Sequence, residues 1–192
     1  MSTADQIFHG AIQEFANRGF DQATIDDIAQ QAGVAKGTIY YHFKNGKEEL
    51  FKFIMNHGMD QLIDYTKTSI ESHQHRESQL HAWLKAHIQF SIENQEFIKL
   101  MFNEGFGKKD RQKQCRRKIR KYIEFIASIL AEKQPHTLRH YQTATAIFGA
   151  ASISIIQTLY HLEDQQPAHD EIRILEQVLW QLIQSSLHQV KR

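Results

Sequence analysis

Gly33 most constrains what this chain can become, because it stands between two short stretches whose apolar residues recur at helical spacing. On its N-terminal side, Thr24 with Asp27 three positions later makes a capping-box-like start, and Asp26 and Asp27 face the positive end of the dipole. A helix is expected from Ile25, with Ile25, Ile28, Ala29 and Ala32 on a buried face and Gln30 and Gln31 outward. Gly33 ends it by taking the left-handed conformation at no Cβ penalty. Val34, Ile39 and Phe43 restart the apolar pattern, and Ala29 is small enough to let the second helix cross the first closely. This is helix-turn-helix spacing.

The second helix, expected over about Ala35 to His42, leaves Lys36, Gly37, Thr38, Tyr40, Tyr41 and His42 off its buried face. Lys and Thr reach base edges or phosphates, Tyr donates to a phosphate or packs on a thymine methyl, and Gly37 lets backbone approach a duplex. Val34 to Lys47 holds three Lys and no acid, although residues 1–52 as a whole carry five Lys plus Arg against seven Asp plus Glu. The positive edge is local, so DNA affinity should be salt-dependent and modest per monomer. A solvated helical hairpin, with Tyr40 and Tyr41 as packing aromatics, would share the bare spacing. The cap, the Gly turn, the Tyr pair and Lys47 at the head of a following helix together favour double-stranded DNA.

These residues resemble the TetR family of bacterial transcription regulators over about the first fifty positions. Ile7 to Phe20, ending Phe15, Ala16, Asn17, Arg18, Gly19, Phe20, looks like the family's first helix, Thr24 to Ala32 its second, and Val34 to Phe43 its recognition helix. The resemblance implies phosphate contacts from Thr24, Tyr41, His42 and Lys47, and base contacts from Lys36, Thr38 and Tyr40. Phe43, Lys44, Asn45, Gly46, Lys47 is one residue longer than the commonest family spacing, with Asn45 and Gly46 forming a tight turn. The family likeness also implies an all-α fold of about nine helices, a homodimer on a palindromic operator, and release by a small-molecule effector. Domains are expected at 1–46 for DNA binding and 47–192 for ligand binding and dimerisation.

Beyond Lys47 the apolar period is helical throughout. Two Pro and nine Gly in 192 residues favour long helices over strands and turns. Helices are expected near 46–72, 77–93, 95–106, 110–133, 137–163 and 170–190, with His73 to Arg76 and Gln165 to Ala168 as connections and Gly105 and Gly107 closing the third of these segments. One cysteine, Cys115, excludes an internal disulfide, no stretch approaches a membrane span of ~18 apolar residues, and no signal peptide is apparent, which reads as a cytoplasmic protein without a membrane partner.

The last two helices are apolar enough to pair between subunits, through Phe148, Ser152, Ile155, Leu159, Leu175, Leu179 and Leu182, or else to form a monomer's core. A dimer is preferred, since one recognition helix makes too few contacts for selectivity. Trp83, His87, Phe90, Phe102, Phe106, Tyr122 and Phe125 are candidates to line an effector cavity, although an aromatic stripe at helical spacing is more often plain core. His87 is either a polar anchor in that pocket or a core histidine bonded to a carbonyl. Residues 108–121 hold nine basic side chains and one acid, an entrance for an anionic effector such as an acyl-coenzyme A, or a solvated helix face. The partner expected is thus a small hydrophobic or amphipathic effector, with an anionic group allowed.

His136 and His140 lie four apart, yet no acidic partner converges on them, so neither metal nor cofactor is expected. No nucleophile elbow or phosphate-binding loop supports catalysis. The alternatives are a constitutive DNA-binding protein without an effector, and an all-α enzyme or carrier.

Overall fold

Ser2 accepts a hydrogen bond from Asp5 N while the Asp5 carboxylate accepts from Ser2 N, closing a capping box that starts the first helix ahead of Ile7. In this computed structural model the described residues are 2–105, 109–132, 134–161 and 169–190, with the side chains of 105, 109–114 and 188–190 left aside. They form nine α-helices: α1 (Thr3–Gln22), α2 (Ile25–Ala32), α3 (Lys36–His42), α4 (Lys47–Ile70), α5 (Arg76–Glu93), α6 (Gln95–Gly105), α7 (Lys109–Leu130), α8 (Leu138–His161) and α9 (His169–Val190). The expected 165–168 connection and Gly107 lie outside the described residues.

Two compact units result, one of Met1–Asp60 with Glu96–Arg116, the other of Gln61–Gln95 with Arg117–Arg192. In the first, Ile7, Phe15, Ile28, Ile39, Leu50 and Ile54 are buried and bring α1, α2, α3 and the start of α4 around one core. Close approach falls at Gly10, where an added Cβ would lie 2.7 Å from Ala32 N and 2.8 Å from Ala32 Cα. On α4, Gly58 seats the Phe97 ring of α6 in the same way.

In the second unit Leu62, Leu80, Trp83, Leu84, Tyr122, Ile126 and Leu130 fill the interior, with Ala151, Ile155, Leu159 and Leu179 beneath α8 and α9. Arg76 Nη1 donates to Leu130 O at the end of α7, and Glu132 beyond it has a left-handed φ of 50°. That cap stops the helix short of the expected 133. The α5 and α9 helices are tied by His81 to Glu176 at 3.1 Å and Gln184 to Glu77 at 3.1 Å. One expectation is revised: the best eighteen-residue window of α8 has a mean hydropathy of 1.3, enough by length and composition for a membrane span, although a third of it is buried inside the structure.

Candidate DNA-reading face, effector core and dimer face

The local sequence builds the helix-turn-helix as its chemistry requires. Thr24 Oγ1 accepts from Asp27 N and donates to Asp27 Oδ2 at 2.6 Å, and that hydroxyl holds the Asp27 carboxyl below its usual range. Gly33 takes φ 65°, ψ 33°, with Val34 N donating back to Ala29 O at 3.0 Å. Ile39 and Phe43 are buried on the inner side of α3. Its outer side presents Lys36, Gly37, Tyr40, Tyr41 and His42 to solvent with Thr38 half-buried among them, and Tyr41 is 79% exposed. Lys36 Nζ meets Asp26 Oδ2 of α2 at 2.8 Å, and this carboxylate raises the ammonium above its ordinary pKa.

Lys47 is placed differently from its neighbours in the sequence-based set. Its ammonium donates to Phe20 O at 2.7 Å, Ala23 O at 2.8 Å and Asp21 O at 3.1 Å, and lies 4.6 Å from the centre of the Phe20 ring. All three protons are used at the end of α1, where the carbonyls lack helical partners. The extra residue before Lys47 is absorbed by Gly46 at φ 63°, whose N–H donates to Phe43 O. From α6, Glu104 Oε1 accepts from Phe20 N at 3.3 Å, a partner that no pattern around Phe20 announces.

Three of the seven pocket candidates converge in the second unit. Trp83 Nε1 donates to Tyr122 Oη at 2.9 Å, and His87 Nδ1 lies 3.1 Å from the same oxygen. Thr66 of α4 also hydrogen-bonds this hydroxyl, and its own Oγ1 donates to the Leu62 and Ile63 carbonyls. Burial holds His87 at about 4 and pushes the Tyr122 phenol up, so both are neutral. Phe125 stacks on Tyr122 and borders a groove of about 490 Å³ with Arg76 and Gln79. Phe90 faces Tyr65 at 5.8 Å, Phe102 is half-buried on α6 in the first unit, and Phe106 lies outside the described residues. A groove of about 690 Å³ is lined by other side chains, including Tyr65, His73, His81 and Lys85.

The α8 and α9 residues expected at a dimer interface divide by burial. Ile155, Leu159 and Leu179 are buried within the subunit, Phe148, Ser152 and Leu175 are half-buried, and Leu182 is exposed. Phe148 packs against the His87 and Tyr122 rings at 5.9 and 5.6 Å. Beside Leu182 the solvent-facing stripe is Ile174 and Val178 on α9 with Ile153 and Tyr160 on α8. The four-residue steps Ile174, Val178, Leu182 were the available signal, a second apolar stripe on a helix that already had one. Among the described residues no group of three or more His, Cys, Asp or Glu is placed to hold a metal ion.

A family model described as bacterial regulatory proteins, tetR family, matches residues 7–54. The fatty acid metabolism regulator protein of Bacillus subtilis (strain 168) is 39% identical over 66 residues, which are 34% of this chain and 34% of that protein. The match to this relative thus spans about a third of its length. Among solved structures, a putative fatty acid metabolism regulator from Clostridium perfringens superposes with a TM-score of 0.79 at 29% identity, covering 94% of this chain and 97% of that one. The Bacillus subtilis regulator FadR, in complex with stearoyl-CoA, gives a TM-score of 0.78 at 20% identity, over 93% and 96% of the two chains, a likeness of fold.

Proposed function

This chain belongs to the tetR family of bacterial regulatory proteins, and from that premise we propose that it is a ligand-responsive transcriptional repressor, acting in the cytoplasm as a homodimer on a palindromic operator. The observation that carries the reading is the outer side of α3, where Lys36, Tyr40, Tyr41 and His42 stand in solvent over a buried Ile39 and Phe43. A helix so supported enters a major groove with its side chains aimed at base edges and phosphates. Residues 1–46 carry DNA reading, and 47–192 carry effector binding and dimerisation. Two α3 helices ~34 to 36 Å apart would read consecutive half-sites. The α8 and α9 stripe of Ile153, Tyr160, Ile174, Val178 and Leu182 is apolar surface suited to joining the subunits.

The effector class assigned is a long-chain acyl thioester of coenzyme A. Relatives named as fatty acid metabolism regulators, one of them bound to stearoyl-CoA, support it, as does the basic run, whose Arg116, Arg117, Arg120 and Lys121 are exposed and suited to phosphates. Effector binding favours a state whose heads are out of register with the operator, transmitted along α4, which runs unbroken from Lys47 to Ile70. Operator and effector must then weaken each other's binding by the same factor.

The test is binding to the gene's own upstream intergenic DNA across a salt series, with random duplex as competitor, then addition of palmitoyl-CoA. Selective binding that tightens as salt falls and is released by the thioester is expected. Salt-insensitive or absent binding would return the enzyme and carrier readings.

A further inference from the structure

The basic edge of the first unit holds three lysines from Val34 to Lys47, and the fold engages two of them. Lys47 Nζ gives its protons to the carbonyls of Phe20, Asp21 and Ala23. Lys36 Nζ lies on Asp26 Oδ2 at 2.8 Å. Thr24 is engaged as well, its hydroxyl donating to Asp27 Oδ2 at 2.6 Å, and Arg18 of α1 faces Glu14 and Asp27. Lys44 differs from all of these. It is exposed, and among the described residues it makes no hydrogen bond or ion pair.

The turn that carries Lys44 is fixed on both sides while the side chain itself is left in solvent. Phe43 before it is buried, Gly46 N donates to Phe43 O at 2.9 Å, and Asn45 N donates to Glu49 Oε2 at 2.8 Å. The Glu49 carboxylate is thereby held on backbone rather than on the lysine. Gly46 takes φ 63°, and a Cβ built on it would lie 3.7 Å from Tyr40 Cε1, so the turn runs beside the Tyr40 ring. That ring is 44% exposed on the outer side of α3, among the side chains assigned to DNA.

A salt-dependent affinity requires cations at the phosphates, because their neutralisation releases the counterions. A tyrosine hydroxyl can donate to a phosphate but displaces no counterion. We propose that Lys44 is the phosphate anchor of the recognition helix, its ammonium meeting the DNA backbone beside the half-site that α3 reads. This rests on the DNA reading above and moves within it the contact that the family likeness assigned to Lys47. The extra residue between Phe43 and Lys47 accounts for the exchange: with Gly46 left-handed, Lys47 turns inward onto the end of α1, and Lys44 remains outward. A phosphate contact carries no base information, so Lys44 sets strength and register on any duplex, while sequence choice stays with the α3 side chains.

The test measures binding of full-length parent, Lys44→Gln, Lys44→Arg and Lys52→Gln to operator and to random duplex across a salt series. Lys52 is likewise exposed, on α4 beyond the turn, and its loss removes the same charge from the same unit. Lys44→Gln is expected to weaken both duplexes by the same factor, about three- to tenfold, and to lower the salt slope by about one for each bound subunit. Lys44→Arg should restore the parent slope, and Lys52→Gln should keep it within about half a unit per subunit. Thermal melts of the three variants should match the parent's, since Lys44 supports no other side chain. A Lys44→Gln slope equal to the parent's, or lowered no more than that of Lys52→Gln, would overturn the assignment. So would a loss confined to operator, which would make Lys44 a reader of bases. A parent that binds neither duplex would overturn the DNA reading itself, and the assignment with it, so the two failures are distinguishable.

Discussion

Lys47 Nζ donates to the carbonyl oxygen of Phe20 at 2.7 Å and stands over the ring of the same residue, so the start of α4 is fastened to the end of α1. With Ala23 O and Asp21 O as its other acceptors, the ammonium has no proton left for a phosphate in this state. Lys47→Met should therefore cost about 2 kcal/mol of stability, the scale of hydrogen bonds from a charged group. The salt slope of the remaining DNA binding should stay within half a unit of the parent's, where loss of a phosphate contact would lower it by about one. An unchanged Tm with a slope reduced by one would assign Lys47 to the phosphate backbone instead.

Two glycines should respond oppositely to the same substitution. A methyl at Gly10 meets the backbone of Ala32, which cannot swing aside, so Gly10→Ala should destabilise the first unit by about 1 to 3 kcal/mol. A methyl at Gly37 meets nothing within 4 Å, and alanine is the better helix former by up to about 1 kcal/mol. Gly37→Ala should thus melt at or above the parent temperature yet bind operator more weakly, because the added methyl stands where backbone would approach the duplex. Thermal melts paired with operator titrations test both, and a Gly37→Ala protein with undiminished operator affinity would remove Gly37 from the DNA-facing set.

Stability should fall as the solution is acidified through the range where His87 titrates. The unfolded imidazole takes up its proton near 6.5 and the buried one at about 4, so between these values the unfolded state binds more protons and unfolding is favoured as pH drops. The contribution is complete above about 6.5 and gone below about 4, amounting to on the order of 3 kcal/mol. Urea unfolding of the parent and of His87→Phe across this interval should show a shallower pH dependence in the variant. Parallel curves would mean that His87 is not held neutral by the fold.

The proposed dimer face can be tested apart from the subunit core by a single position. Val178 is exposed and its neighbour Leu179 is 3% exposed. Val178→Glu should yield a helical monomer by sedimentation, with operator affinity down at least tenfold, whereas Leu179→Glu should unfold the unit by burying an unpaired charge. A Val178→Glu protein that sediments as a dimer would move the interface elsewhere.

Much of the head was legible because its signals are local. Thr24 and Asp27, Gly33, and the Ile39 and Phe43 pair each settle a boundary or a face within a few residues, and α2 begins and ends where these predict. The Lys47 clamp was not legible, since its acceptors are backbone carbonyls more than twenty residues away and carry no side-chain signature. The same holds for Glu104 on Phe20 N, and for the Gly10 contact with Ala32, which joins residues twenty-two positions apart on α1 and α2. In the second unit the types Trp83, His87 and Tyr122 were visible, but that one phenol gathers them depends on how α5 meets α7. For α9 the period was plain, while which stripe turned inward was decided by packing against α5 and α8.

The Lys36 to Asp26 pair has an effect beyond α3. Both side chains are more than half exposed, so the pair is weak and readily exchanged. While it lasts it mutes the lysine's field toward DNA passing at a distance, and a polyanion gains little by approaching it from the wrong register. If Lys36 reads DNA as proposed, a duplex that offers an acceptor within its reach would have to displace the carboxylate. Part of the discrimination against random sequence would then reside in Asp26, a residue that need never touch a base.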